Sequence, residues 1–206
     1  MPVVLVANPK GGVGKSTLAT NIAGYYASRG HAVMLGDIDR QQSSCLWLNL
    51  RPPQAREIRT WHASEDGEVV RPPRGTTHAV VDTPAGLHGS RFKEVVALAD
   101  KVLVPLQPSI FDIYATRDFL DKLLSHRHAD KTKVALVGMR VDARTLAADR
   151  LREFVSGLDV PVLGELRDTQ NYVQLAARGL TLFDIAPGRV QRDLEQWEPI
   201  RHWLDA

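Results

Sequence analysis

Ten residues near the start of the chain combine glycines, lysines and hydroxyls in a pattern that suits phosphate binding: Asn8-Pro9-Lys10-Gly11-Gly12-Val13-Gly14-Lys15-Ser16-Thr17. The apolar run before them, Val3 to Ala7, is typical of a buried strand, and Leu18 to Tyr26 is typical of a helix. A glycine-rich turn between strand and helix points backbone N–H groups at phosphate oxygens. Lys15 can reach the β- and γ-phosphates of a nucleotide, and the Ser16 hydroxyl can complete a magnesium shell. The pattern predicts a nucleotide-binding loop.

Aspartates follow two other apolar runs. In Asp37-Ile38-Asp39-Arg40-Gln41, Asp39 can orient an attacking water and Asp37 can accept from metal-bound water. In the segment from His78 to Gly86, an apolar strand ends at Asp82, whose carboxylate can hold magnesium, usually through water. Gly86 can offer a backbone N–H near the γ-phosphate. We therefore expect Ser16, Asp37 and Asp82 to form the metal site.

The remaining elements that must position these residues alternate between strand and helix. Such alternation predicts a single α/β domain over residues 1–206, with a mostly parallel twisted sheet and helices on both faces. Ligands bind at the carboxyl ends of the strands in such sheets, where the glycine loop, Asp37, Asp39 and Asp82 all fall. Predicted strands cover 33–38, 57–61 (an edge strand), 77–82, 101–106, 134–139 and 162–166, and predicted helices cover 41–48, 90–99, 112–126, 144–157, 169–178 and 190–204.

Composition narrows the classes of function. The 206 residues are 44% hydrophobic, which suits one domain with a substantial core. The single cysteine, Cys45, cannot form an intramolecular disulfide. No apolar run reaches 18 residues and the first one has no basic region before it, so we expect a cytoplasmic protein. The net charge of +2 permits contact with nucleic acid without demanding it.

The phosphate loop resembles that of one particular family. Its form K-G-G-x-G-K-[ST] has Pro9 where the common G-x-x-x-x-G-K-[ST] pattern has glycine, and it adds Lys10 before the glycines. This is similar to the deviant Walker A loop of the ParA/MinD ATPases, and most similar to the small ParA-type partition ATPases. The first aspartate segment resembles the family's D-x-D-P-Q motif, except that Arg40 replaces the proline. The resemblance spans nearly the whole chain and is most specific in the first 90 residues.

The resemblance implies an ATPase that uses ATP and Mg²⁺. It implies that Lys10 crosses a dimer interface to the partner's nucleotide. The expected catalytic residues are Lys10, Lys15 and Asp39. It also implies an ATP-dependent homodimer that binds DNA non-specifically, associates with the nucleoid and is released by a ParB-like or other small DNA-binding adaptor. The expected nucleotide contacts are Lys10, Gly11, Gly12, Val13, Gly14, Lys15, Ser16, Thr17, Arg140 and Arg167.

Other assignments stay open at this stage. Arg140 with Asp142, and Arg167 with Asp168, follow the last two predicted strands and fit either base contacts or surface ion pairs. The expected DNA contacts are Arg167, Arg178, Arg189, Arg192 and Arg201, although residues 140–206 hold 9 basic and 11 acidic side chains. The alternatives for function are a MinD-like membrane-cycling regulator and a phosphate-loop enzyme that activates a small carboxylate. The C-terminal apolar stripe at 194–204 favours packing on the core over membrane anchoring, because acidic residues dilute its polar face.

Overall fold

The computed structural model describes residues 1–61, 64–65, 68–69, 71–125 and 131–206, with backbone alone at 64–65 and 68–69. It confirms the predicted α/β fold class. The strands are β1 (Val3–Val6), β2 (Val33–Asp37), β3 (Ser64–Glu65), β4 (Glu68–Val69), β5 (His78–Asp82), β6 (Lys101–Leu106), β7 (Lys133–Met139) and β8 (Val162–Leu166). Six of them form one sheet in the order β2-β5-β1-β6-β7-β8, and every pairing in it is parallel. β3 and β4 form a separate antiparallel pair.

Helices cover both faces of the sheet. They are α1 (Lys15–Ser28), α2 (Ser43–Asn49), α3 (Gly89–Leu98), α4 (Ile110–Leu124), α5 (Leu146–Ser156), α6 (Gln170–Ala176) and α7 (Gln191–Asp205), with 3-10 turns at Leu182–Asp184 and Pro187–Arg189. One apolar core lies between the sheet and α3, α4 and α5. A second core lies on the other face, where α1, α2 and α7 pack. The central strands β1, β5 and β6 are buried on both sides, which explains their continuous apolar runs.

The structure departs from the sequence-based predictions at a few boundaries. The predicted edge strand at 57–61 pairs with β2 only through a bridge between Met34 and Arg59. The predicted helix at 41–48 begins two residues later, because Gln42 has a left-handed φ of 48° and precedes the first helical turn. The helix predicted at 112–126 begins earlier, at Ile110, and residue 126 lies outside the described residues.

The C-terminal stripe packs on the core, as the sequence indicates. Trp197, Ile200 and Leu204 of α7 are buried, and the helix continues through Pro199. Lys101 fixes the end of this helix, since its ammonium donates to the carbonyls of Trp203 and Leu204 at 2.9 and 2.6 Å. Within the described part of the chain, no helix is both long enough and apolar enough to cross a bilayer.

Candidate functional site

The glycine loop leaves β1 and turns directly into α1. Gly14 is the residue before the first helical turn and has a φ of 95°. Any residue with a side chain would be strained in that conformation. A Cβ at Gly14 would also lie 2.8 Å from the Cε atom of Met139. Gly12 has a φ of 77° as well. The glycine positions are thus fixed by backbone conformation and by close packing, and the loop presents the N-terminus of a 14-residue helix.

Two side-chain amides, those of Asn8 and Gln107, hold the loop in shape. The Asn8 amide donates to the carbonyl of Pro105 at 2.8 Å and to the Thr116 hydroxyl at 3.0 Å. Its carbonyl oxygen accepts from the backbone N–H of Lys10 at 2.8 Å. The Gln107 amide donates to the carbonyl of Gly12 at 2.9 Å. These contacts join the loop to the end of β6 and to α4. Sequence alone assigns neither Asn8 nor Gln107 this role.

Lys15 lies inside the curl of the loop. Its ammonium donates to the carbonyl of Lys10 across 2.6 Å, and the side chain is buried. Burial lowers the pKa of Lys15, while the nearby Asp82 and Asp39 carboxylates oppose that shift. A lysine that is desolvated here gains an anionic partner when phosphate enters the loop. Lys10 itself is only half-buried.

Asp37 and Asp82 lie side by side, because β2 and β5 pair in register at these two residues. Ser44, in the first turn of α2, contacts both. Its hydroxyl donates to Oδ2 of Asp82 at 2.7 Å, and its backbone N–H donates to Oδ2 of Asp37 at 2.8 Å. Ser44 is fully buried. Sequence alone does not single out Ser44, since one serine in a short polar stretch carries no distinguishing signal.

The Asp82 carboxylate has the features of a metal ligand. Its Oδ1 atom is buried and has no hydrogen-bond partner within the described residues. Burial raises the pKa of Asp82 to about 6, and the Ser16 and Ser44 hydroxyls oppose that shift. Burial also raises the pKa of Asp37. A divalent cation placed here would satisfy the free oxygen, and Mg²⁺ is commonly held by one or two carboxylates with substrate phosphates. The residues fit magnesium.

Asp39 lies just beyond the strand rather than on it. β2 ends at Asp37, and the backbone N–H of Asp39 donates to Oδ1 of Asp37 at 2.9 Å. Asp39 is half-buried, and its Oδ1 atom accepts from the N–H of Gln41 at 3.0 Å. The N–H of Gly86, predicted to face a phosphate, donates instead to the carbonyl of Pro9 at 2.9 Å. Arg40 is exposed.

A cleft of about 280 Å³ opens beside the glycine loop. Gly14, Thr17 and the ends of β7 and β8 line it, together with Arg140, Arg167 and Tyr172. The two arginines predicted to contact the base therefore lie at the same cleft. Asp142 does not pair with Arg140; it pairs with Arg144 at 3.0 Å on the surface.

The Arg167 guanidinium makes a partly buried ion pair. Its Nε donates to Oδ1 of Asp193 at 2.6 Å, and Asp193 is fully buried on α7. Asn171 donates to the other oxygen of Asp193 at 2.6 Å. Trp197 donates to the Tyr172 hydroxyl at 2.9 Å, which also joins α6 to α7. The wall of the cleft is therefore fixed by the C-terminal helix.

The remaining arginines predicted to contact DNA lie in the C-terminal third of the chain. Arg178, Arg189 and Arg192 are exposed, whereas Arg201 is half-buried. Three of these predicted contacts are thus free to meet a polyanion from solvent, while Arg167 is held by Asp193.

A comparison with known protein families identifies this chain as a nucleotide-binding domain, in agreement with the geometry of the site. The family model described as the CobQ/CobB/MinD/ParA nucleotide binding domain matches residues 4–182, a span that includes the glycine loop and the three aspartates. The chain belongs to this family. Its membership confirms the resemblance to the ParA/MinD ATPases that the sequence indicates.

Proteins that resemble this chain in sequence or in fold carry names for different processes. The maintenance of carboxysome distribution protein A of Halothiobacillus neapolitanus is 28% identical over 195 residues, covering 91% of this chain and 90% of that protein. A putative plasmid partition protein of Borrelia burgdorferi bound to AMPPNP has a TM-score of 0.73 at 16% identity, covering 98% of each chain. Cobyrinic acid a,c-diamide synthase of Mycobacterium smegmatis, with bound ATP analogue and magnesium, has a TM-score of 0.68 at 21% identity, covering 95% of this chain and 98% of that one.

Proposed function

We propose that this chain is an ATPase that positions a large cargo in the cell by switching between an ATP-bound dimer and a monomer. The observation that carries this proposal is the contact of the Lys15 ammonium with the carbonyl of Lys10 at 2.6 Å. It supports one lysine turned into the phosphate loop, and it leaves the half-buried side chain of Lys10 out of that contact because only the backbone carbonyl of Lys10 is used. That arrangement supplies one cation for the chain's own nucleotide and one for a nucleotide bound by a second copy.

Binding and hydrolysis of ATP follow from the residues at the strand ends. The loop N–H groups and Lys15 hold the β- and γ-phosphates. Ser16, Asp37 and Asp82 would hold Mg²⁺, which supplies neutralisation of the charge on those phosphates. Asp39 holds the attacking water in line with the γ-phosphate, and such positioning accounts for much of the catalysis in phosphoryl transfer. Arg140 and Arg167 flank the base in the 280 Å³ cleft.

The ATP-bound dimer binds DNA without sequence preference in this proposal. Support comes from relatives named for carboxysome distribution and plasmid partition, and from the exposed Arg178, Arg189 and Arg192. A dimer presents each arginine twice, which strengthens a weak basic surface. A cargo-bound adaptor then stimulates hydrolysis and returns the protein to the monomer. On this account the ATP form associates with the nucleoid.

The test is binding to a random DNA duplex with and without ATP at several salt concentrations. We expect ATP-dependent binding with a dissociation constant of about 10⁻⁴–10⁻⁶ M that weakens steeply as salt rises. Arg189→Glu with Arg192→Glu should reduce it at least tenfold. Arg144→Glu with Arg150→Glu is the matched control, since it makes the same change of charge at two other exposed arginines, which lie in surface pairs with Asp142 and Glu153.

A parent protein that binds no DNA at low salt in the presence of ATP would contradict the proposal. Phosphate release measured on the same samples then separates two alternatives. Turnover that depends on an added small carboxylate would favour a carboxylate-activating enzyme. Turnover stimulated by anionic vesicles would favour a membrane-cycling regulator.

A further inference from the structure

A separate pocket lies at the opposite edge of the sheet from the phosphate loop. It has a volume of about 330 Å³ and opens at the amino ends of β2 and β5. A strand rises by about 3.3 Å per residue, so Asp37 at the far end of β2 lies roughly 13 Å from Val33 at the pocket. Among the described residues, this pocket shares no lining residue with the cleft beside the glycine loop.

Arginines dominate the charge of this pocket. Arg56, Arg59 and Arg74 line it, together with His31 and a single acidic residue, Glu57. Glu57 is already paired, because Nε and Nη2 of Arg59 donate to its two carboxylate oxygens at 2.9 Å each. Arg56 and Arg74 are exposed, and neither forms an ion pair with any side chain that the structure describes. The described lining is thus cationic, with two guanidinium groups left for an anion.

The capping of helix α1 does not account for these cations. α1 ends beside the pocket, and cations are stabilising at the C-terminal end of a helix. The carbonyl of Ala27, however, accepts from the backbone N–H of Gly30 at 2.9 Å, and that of Tyr26 accepts from the N–H of His31 at 3.2 Å. The last turn thus closes with backbone donors, which leaves the guanidinium groups available to a ligand.

The segment that carries Arg56 and Arg59 is held in place by its backbone. The N–H of Arg59 donates to the carbonyl of Val33 in β2 at 3.0 Å. The carbonyl of Arg56 accepts from Nε of Arg51 at 2.8 Å, and the Arg51 side chain is itself buried in its ion pair with Asp184. This wall of the pocket is therefore anchored both to the sheet and to a buried ion pair.

Arg74 enters the pocket from a hydrogen-bonded turn before β5. The Thr76 hydroxyl donates to the carbonyl of Pro73 at 2.7 Å. The N–H of Thr77 donates to the carbonyl of Ala32 at 3.0 Å, which joins this turn to the residue before β2. Both arginine-bearing walls are thus fixed without a ligand, and such preorganisation lowers the entropic cost of binding one.

We propose that this pocket binds a small phosphorylated anion through Arg56 and Arg74. A guanidinium group suits phosphate because its planar N–H donors pair with two phosphate oxygens at once. The volume of about 330 Å³ lies at the lower end of the range of small-ligand pockets, which favours a compact molecule over a polymer. Ala32 and Met34 add apolar lining for the organic part of a phosphate ester. The site is independent of the phosphate loop and of the dimer in the proposed function.

Calorimetric titration with inorganic pyrophosphate tests the site. The full-length protein carries Lys15→Ala, so that the phosphate loop lacks its buried ammonium. We expect this protein to bind one equivalent of pyrophosphate, and Arg56→Gln with Arg74→Gln to weaken that binding at least tenfold in the same background. Arg144→Gln with Arg150→Gln is the matched control, since both residues are exposed arginines in surface pairs elsewhere, and it should leave the binding unchanged.

A second titration keeps Lys15 and so does not depend on how the Lys15→Ala protein folds. The parent should bind two equivalents of pyrophosphate, and Arg56→Gln/Arg74→Gln should bind one. Pyrophosphate binding by Arg56→Gln/Arg74→Gln that equals that of its background would overturn the proposal. Equal weakening by the control pair would overturn it too, because it would show a general attraction to positive charge.

A random DNA duplex distinguishes a free phosphate ester from the phosphates of a nucleic-acid backbone. With ATP present and Lys15 retained, Arg56→Gln/Arg74→Gln should bind the duplex within twofold of the parent. A tenfold loss of duplex affinity would assign the two guanidinium groups to the DNA backbone and overturn the proposal of a small ligand.

Discussion

The Ser44 hydroxyl donates a hydrogen bond to Asp82 across 2.7 Å, and this contact ties helix α2 to the end of strand β5. The same serine holds Asp37 through its backbone N–H at 2.8 Å. Two buried carboxylates on neighbouring strands are therefore oriented by one residue. Because Oδ1 of Asp82 has no partner in the described part of the chain, the pair is arranged with one oxygen left for a ligand.

Loss of that hydroxyl should destabilise the protein. Ser44→Ala removes a hydrogen bond to a buried carboxylate, which costs about 1–3 kcal/mol in the free energy of unfolding. Urea denaturation without nucleotide measures it. Ser43→Ala is the matched control, since Ser43 is the adjacent residue and is exposed. Equal stabilities for the two variants would mean that the contact contributes nothing to folding.

A second buried interaction joins the segment after α2 to the segment after α6. Arg51 and Asp184 pair at 2.7 Å with side chains that are 6% and 4% exposed. Arg51 also donates to the carbonyl of Gly179 at 3.0 Å. Arg51→Met leaves a buried carboxylate without its cation and should lower the free energy of unfolding by about 3–5 kcal/mol.

The control for Arg51 is a pair in the open. Arg150 and Glu153 pair at 3.1 Å with side chains that are 73% and 72% exposed. Arg150→Met should therefore change the free energy of unfolding by less than about 1 kcal/mol. Thermal and urea denaturation of both variants measure these losses. Equal losses of unfolding free energy in Arg51→Met and Arg150→Met would contradict the prediction.

Two stacked histidines predict part of the pH dependence of stability. The rings of His31 and His78 lie 3.9 Å apart between centroids. Burial lowers the pKa of His78 to about 4; His31, the N-terminal ammonium and Lys101 act in the same direction, and Asp205 opposes them. Between about pH 6.5 and pH 4 the unfolded chain thus binds a proton that the folded chain does not, so the free energy of unfolding falls as pH falls.

His78→Gln should remove that contribution, which is fully present above pH 6.5. Its free energy of unfolding should fall less steeply than the parent's between pH 6.5 and pH 4. His202→Gln, at an exposed position on α7, should retain the parent's slope. Parallel profiles for the parent and His78→Gln would show that His78 takes up its proton equally in both states.

The sequence predicts the sheet and the loop because their signals are local. Continuous apolar runs identify the buried parallel strands, and the glycine and lysine spacing identifies the loop from Asn8 to Thr17. Ser44 and Asp193 were missed, because their partners are far apart in sequence. Asp193 contacts Arg167 only because α7 packs against β8, and the sequence around position 193 does not indicate this contact.

The exact ends of helices and strands depend on backbone pairing and backbone conformation that the periodicity of the sequence does not show. The segment at 57–61 intersperses polar residues with Ile58 and Trp61, as an edge strand does, yet only Arg59 pairs with β2. The left-handed backbone of Gln42 delays α2. The extent of a single domain over 1–206 and the roles of the individual site residues stay predictions.

Hydrolysis should separate from binding at Asp39. Asp39→Ala keeps the loop, Lys15 and Asp82, so it should bind ATP and dimerise, but it should release phosphate at least tenfold more slowly because the attacking water is not held. Asp82→Ala should instead weaken Mg²⁺-dependent binding itself. Phosphate release and dimer lifetime for both variants give the answer. If Asp39→Ala hydrolysed ATP as fast as the parent, another residue would have to position the attacking water.

The most direct test of the account compares Lys10→Ala with Lys15→Ala. The contact between the two residues uses the backbone carbonyl of Lys10, so Lys10→Ala should leave the loop intact. The measurement is sedimentation with a slowly hydrolysed ATP analogue and Mg²⁺, alongside nucleotide affinity. The account predicts that Lys15→Ala loses nucleotide binding, while Lys10→Ala binds nucleotide as the parent does yet stays monomeric. A Lys10→Ala protein that dimerises as readily as the parent would contradict it.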